Sequence, residues 1–167
     1  MKRLLIFFWM LAGASFFSEA QECALIRETD PYTRSTGLST GFHKWKGGAL
    51  TLDASKSEID WMIEVGAGNL CFDDESTIQV YFKGTKQKLL FRNSGTINCE
   101  GLLHVLFKNS PTTNYQLNKL ATLPIERILV TNAADKSWAL EPDAEQQDRW
   151  MRAAGCLVEE SKKLLTQ

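Results

Sequence analysis

The last two dozen residues constrain this chain more than any other stretch, because they pair a helical apolar stripe with a cysteine that lies off it. Between Pro142 and Leu165, the residues Trp150, Met151, Ala154, Leu157, Val158, Leu164 and Leu165 recur at helical spacing and share one face. Pro142 suits a first helical position, where its missing N–H costs nothing. Asp143, Glu145 and Asp148 put negative charge near the positive end of the helix dipole, and Lys162 and Lys163 do the converse at the other end. Cys156 points away from the stripe, among Arg149, Arg152, Glu160 and Lys163. A thiol there needs a partner reaching over from outside the core, unless Gly155 breaks the helix and turns Cys156 inward.

Upstream, the period is mostly two. Leu50 and Leu52 alternate with Ala49 and Thr51, and Ile59, Trp61, Ile63 and Val65 alternate with Asp60, Met62 and Glu64. Gly66-Ala67-Gly68-Asn69 breaks that run. Ile78, Val80 and Phe82 share a face, Lys83-Gly84-Thr85 turns the chain, and Lys88–Arg92 and Leu102–Phe107 form two more strands. Leu117, Leu120 and Leu123 fit one or two helical turns stopped by Pro124, and strands follow at Ile125–Thr131 and Trp138–Leu140. Short turns between neighbouring runs favour antiparallel hairpins. The pattern predicts an α+β fold: one twisted, meander-rich antiparallel β-sheet with the C-terminal amphipathic helix packed on it.

Residues 1–20 have the form of a signal peptide, with Lys2 and Arg3 before an apolar stretch and Ser18-Glu19-Ala20 as the cleavage site. The apolar stretch is shorter than the roughly 20 residues that span a bilayer, so no membrane insertion is expected once the segment is removed. Residues 21–41 are polar and turn-rich, an expected extended N-terminal arm, and 42–167 form a single α+β domain. Removal of the leader leaves 17 basic and 19 acidic residues, a net charge of −2, which gives no electrostatic case for nucleic acid. The expected location is exported, periplasmic or secreted.

An even number of cysteines in such a chain argues for two disulfides, with three connectivities open. The expected pairs are Cys71–Cys99 in the sheet region and Cys23–Cys156 between arm and helix. The spacing contains no C-x-x-C, so neither a redox pair nor a zinc site is expected. Asp73-Asp74-Glu75 lacks the alternating oxygen ligands of a calcium loop, and no cofactor is expected.

The run Leu117-x-x-Leu120…Pro124-Ile125-x-x-Ile128 resembles a pattern in small exported β-rich bacterial proteins of unknown function. So do an acidic hairpin region before a strand and the pair Cys156-Leu157 inside the last helix. The resemblance spans Cys23 to Leu157 and implies an architecture without an activity.

Gly37-Leu38-Ser39-Thr40-Gly41 matches the G-x-S-x-G elbow of serine hydrolases, but no apolar strand precedes it and no helix follows. His104 lies in the most apolar strand, where a hydrogen-bonded structural role is the expectation. Phe42-His43-Lys44-Trp45-Lys46 is the most suggestive binding feature, since aromatic and basic side chains interleave as they do where a surface grips a glycan, an anion or a protein. Its competing explanation is an edge strand in which aromatics cover the core and lysines deter edge pairing. The sequence therefore points to a small exported, non-catalytic binding module with a protein or glycan partner. A small secreted hydrolase, or an inhibitor of an envelope or extracellular enzyme, is the alternative.

Overall fold

The computed structural model describes residues 23–66 and 70–166; the expected leader and residues 67–69 of the glycine-rich break lie outside them. In chain order the elements are β1 (Ile26–Thr29), β2 (Thr36–Ser39), β3 (His43–Trp45), β4 (Gly48–Ala54), β5 (Glu58–Val65), β6 (Thr77–Phe82), β7 (Lys88–Arg92), β8 (Leu102–Lys108), α1 (Tyr115–Thr122), β9 (Ile125–Thr131), β10 (Ser137–Leu140) and α2 (Ala144–Leu164).

The α+β class holds, but the strands form two antiparallel sheets where the sequence predicts one. The first runs β1-β2-β4-β5-β8 with β3 also on β4, and the second runs β10-β9-β6-β7. β5 and β8 pair from Glu58↔Lys108 to Glu64↔Leu102, which makes residues 66–101 an excursion from the first sheet. That excursion carries the β6–β7 hairpin, and β9 joins the free edge of β6. Its neck is fastened twice. Phe72 and Asn98 exchange backbone hydrogen bonds of 2.8 and 3.0 Å, and Cys71 is bonded to Cys99 beside them. Gly101, at φ 81°, passes so near β5 that a Cβ there would lie 2.9 Å from the Val65 carbonyl oxygen.

The core sits between the sheets. β5 alternates strictly, burying Ile59, Trp61, Ile63 and Val65. Trp61 meets Phe91 of β7 edge-on at 5.7 Å, and Phe91 meets Phe107 of β8 at 5.9 Å, so both sheets contribute to one aromatic cluster.

The expected extended arm is instead a hairpin. β1 pairs with β2, and β2 continues onto β4 through Leu38↔Ala54 and Ser39↔Asp53, which makes it part of the first sheet. Leu38 is its single buried apolar residue, too little to produce a visible alternation in sequence.

Helix α2 begins at Ala144, two residues after Pro142. Asp143 takes the cap: its carboxylate accepts from Gln146 N at 2.8 Å, and the Gln146 side chain accepts from Asp143 N at 2.8 Å. Gly155 leaves the helix unbroken and lies 3.8 Å (as a Cβ position) from the Ala121 carbonyl of α1. The buried stripe is Gln147, Trp150, Ala154, Leu157, Val158, Ser161 and Leu164; Met151 and Leu165 are only partly covered. Among the described residues no helix is long and apolar enough to cross a membrane.

Candidate functional site

β2 and β3 lie end to end along one edge of β4, the other edge being taken by β5. The partner register moves by one residue between Ser39↔Asp53 and His43↔Leu50, so a β-bulge sits at Thr40–Phe42. Gly41 makes it possible with φ 67°. Side chains complete the interrupted ladder: the Thr40 hydroxyl accepts from Leu52 N at 2.9 Å, and the Ser39 hydroxyl accepts from Gly41 N at 3.0 Å. The G-x-S-x-G serine, Ser39, is thus the last residue of β2 beside a bulge, without the strand-to-helix turn of a nucleophile elbow.

The bulge inverts the strand's phase. Leu38 faces inward before it; afterwards the odd-numbered His43 and Trp45 do. Both meet Trp150 of α2 edge-on, at 5.5 and 6.2 Å between ring centroids. Trp45 is buried and belongs to the core. Phe42 is left 55% exposed, Lys44 points to solvent, and Lys46 forms an ion pair with Glu141 at 3.0 Å. The five residues therefore divide: Trp45 is buried in the core at the edge of an open cleft, Lys46 is paired with Glu141, and Phe42, His43 and Lys44 line that cleft.

Across that space lies a second face of α2, adjacent to the buried stripe. Gln146, Arg149, Arg152, Ala153 and Cys156 follow helical spacing along it. Three tethers join it to the N-terminal segment. Gln146 Nε2 donates to the Lys44 carbonyl at 2.9 Å, Cys156 is bonded to Cys23, and Glu160 faces Arg27 at 3.9 Å. Between the tethers are two adjoining clefts, of about 390 and 550 Å³, sharing Thr40, His43 and Arg149. Arg149 pairs with Glu145 at 3.6 Å. Arg152 has no ion-pair partner among the described residues. Burial holds the His43 imidazole below its ordinary pKa; its hydrogen bond to the Thr40 backbone opposes that shift, and the Arg149 charge adds to it.

Sequence reasoning gave Arg149 and Arg152 only as part of a polar helix face. Their signal was their spacing from Cys156, because a disulfide there draws the arm across that face.

His104 lies on the outer face of the first sheet. Its Nδ1 is 2.7 Å from Asp60 Oδ2, diagonally across β5 and β8, and its backbone N–H donates to Asn93 Oδ1 at 2.8 Å. Burial raises the Asp60 pKa, and the His104 hydrogen bond opposes the rise. Asp60, Asp53, Glu58 and Glu28 border a groove of about 270 Å³ beside it. Among the described residues no group of three His, Cys, Asp or Glu side chains is arranged to hold a metal ion.

Comparison with family models, with curated proteins and with solved structures finds no match to this chain.

Proposed function

We propose that this chain is an exported, non-catalytic binding module whose ligand sits between the Thr40–Lys44 bulge and α2. The observation that carries the proposal is the preformed cleft. Its walls are tied at both ends, by the Gln146–Lys44 hydrogen bond and by the Cys23–Cys156 bridge, so little conformational entropy is lost when it fills. Its size falls in the range of small-molecule sites, roughly 300–1,000 Å³. The two disulfides suit an oxidising compartment, in line with the expected leader and a periplasmic or secreted location.

The test is affinity capture from native envelope and medium, with the disulfide-bonded protein and its Arg149→Glu/Arg152→Glu variant as parallel baits. A molecule retained by the first and released by the second is the expected result. Identical retention by both baits would refute a ligand site in this cleft.

The hydrolase alternative draws on the His104–Asp60 pair. Among the described residues, however, no hydroxyl or thiol is hydrogen-bonded to the His104 ring. An acid–base pair with no nucleophile hydrogen-bonded to it favours a structural role on the sheet face.

A further inference from the structure

We infer that the cleft takes a small organic anion, its carboxylate or phosphate held by Arg149 and Arg152 and its ring or carbon body lying against Phe42; this rests on the binding-module reading above. The first support is charge left over. Around α2 most cations have a carboxylate partner: Lys46 pairs with Glu141, Lys162 with Glu159, and Arg27 and Lys163 share Glu160. Among the described residues Arg152 and Lys44 have no ion-pair partner. Arg149's ion-pair partner among the described residues, Glu145, is 77% exposed at 3.6 Å, a contact an incoming oxyanion can displace at little cost. The whole sequence has a net charge of −1, so Arg149 between the two adjoining clefts, with Arg152 on one and Lys44 on the other, is a local feature and no reflection of a basic chain.

The second support is geometry. Arg149 and Arg152 stand one turn apart on one helix face, and planar guanidinium forks suit the paired oxygens of a carboxylate or phosphate. Of the nearby carboxylates of α2, Glu145 pairs with Arg149, and Glu160 with Arg27 and Lys163. The third support is the floor and rim. The His43 ring, wedged on Trp150, supplies a fixed polar edge below. Phe42, thrown outward by the bulge, supplies an exposed ring face above, the usual complement to the carbon body of a sugar or another ring.

Titration of the ¹⁵N-labelled, disulfide-bonded protein with glucuronate, glucose 6-phosphate and glucose tests this and separates the two anion sources. Saturable amide shifts confined to Thr40–Lys44 and Arg149–Cys156 are expected with at least one anionic sugar and not with glucose. The anion that binds tells carboxylate from phosphate. Arg152→Gln, at an exposed position without an ion pair, keeps the dispersed spectrum and weakens binding at least tenfold; Arg149→Gln does the same. No cleft shift from either anion at tens of millimolar, or indifference to both substitutions, overturns the inference. Equal binding of glucose also overturns it, while leaving the binding module itself standing.

Discussion

Replacing Trp150 by Phe probes the junction of α1, α2 and β3. Leu120 lies in the last turn of α1, where its carbonyl would seek the N–H four residues on. That residue is Pro124, which has none. The Trp150 indole N–H supplies the missing donor, at 3.0 Å and fully buried. The substitution strands a buried acceptor, worth about 1–3 kcal/mol, and removes one ring of packing, worth about 1 kcal/mol more. A total of about 2–4 kcal/mol lowers the melting temperature by roughly 6–12 °C in a chain of this length. Trp61 provides the control. It is equally buried, but its indole N–H has no partner among the described residues, so Trp61→Phe removes the same ring without breaking a hydrogen bond. Urea unfolding of both variants with disulfides intact should show Trp150→Phe costing about 1–3 kcal/mol more, at unchanged m-value. Equal costs would refute the role assigned to the Leu120 contact.

Three further outcomes follow from the same structure. The Cys23–Cys156 bridge spans 133 residues and the Cys71–Cys99 bridge 28. In the chain-entropy model, paired Ser substitutions then cost about 5 and about 3.5 kcal/mol respectively, an order that denaturant midpoints check. Gly47 has φ 96°, and a Cβ there would collide with the Ala139 carbonyl. Gly47→Ala should therefore unfold more than about 10 °C below wild type, since strained backbone and a backbone clash add. The His43 pKa is depressed in the folded chain, so its stabilising contribution is complete above the unfolded value, near 6.5, and is lost as pH falls through the folded one. Melting curves of His43→Gln should show a flatter decline than wild type over that acidic window; parallel curves would contradict the burial of the ring.

The local pattern made the strands and α2 legible because strict alternation and helical spacing are properties of neighbouring residues. Which strand joins which edge is not. Ile125–Thr131 carries the same signal whether it pairs with β8 or with β6, and the choice of β6 is what divides the strands into two sheets. Cys156 was informative for the opposite reason. Its conflict with the stripe pointed outside the helix toward the N-terminal segment, and it is there bonded to Cys23. The hairpin in that segment left almost no trace, since Leu38 is its one buried apolar side chain. The Phe42–Lys46 interleaving was visible as a pattern, but alternation alone cannot tell which half faces inward once a bulge precedes it.

That bulge separates the fold from the proposed site, and deleting Gly41 exploits it. With one residue fewer, Thr40 can pair regularly with Leu52 and Phe42 with Thr51, while His43↔Leu50 and Trp45↔Gly48 keep their present register. The strand after the deletion thus retains its inward face, and Trp45 stays on Trp150. What disappears is the kink, together with the Thr40 hydroxyl bond to Leu52 N and the Ser39 hydroxyl bond to Gly41 N. A regular ladder bond offsets one of these, leaving a loss of about 1 kcal/mol. The deletion variant should therefore melt within a few degrees of wild type yet lose the cleft, of which Thr40 is a shared wall. Comparing its unfolding midpoint with its response to the anionic sugars decides the matter. Unchanged binding would show that the bulge does not make the site, and a loss of stability as large as that of Trp150→Phe would show that the fold depends on it.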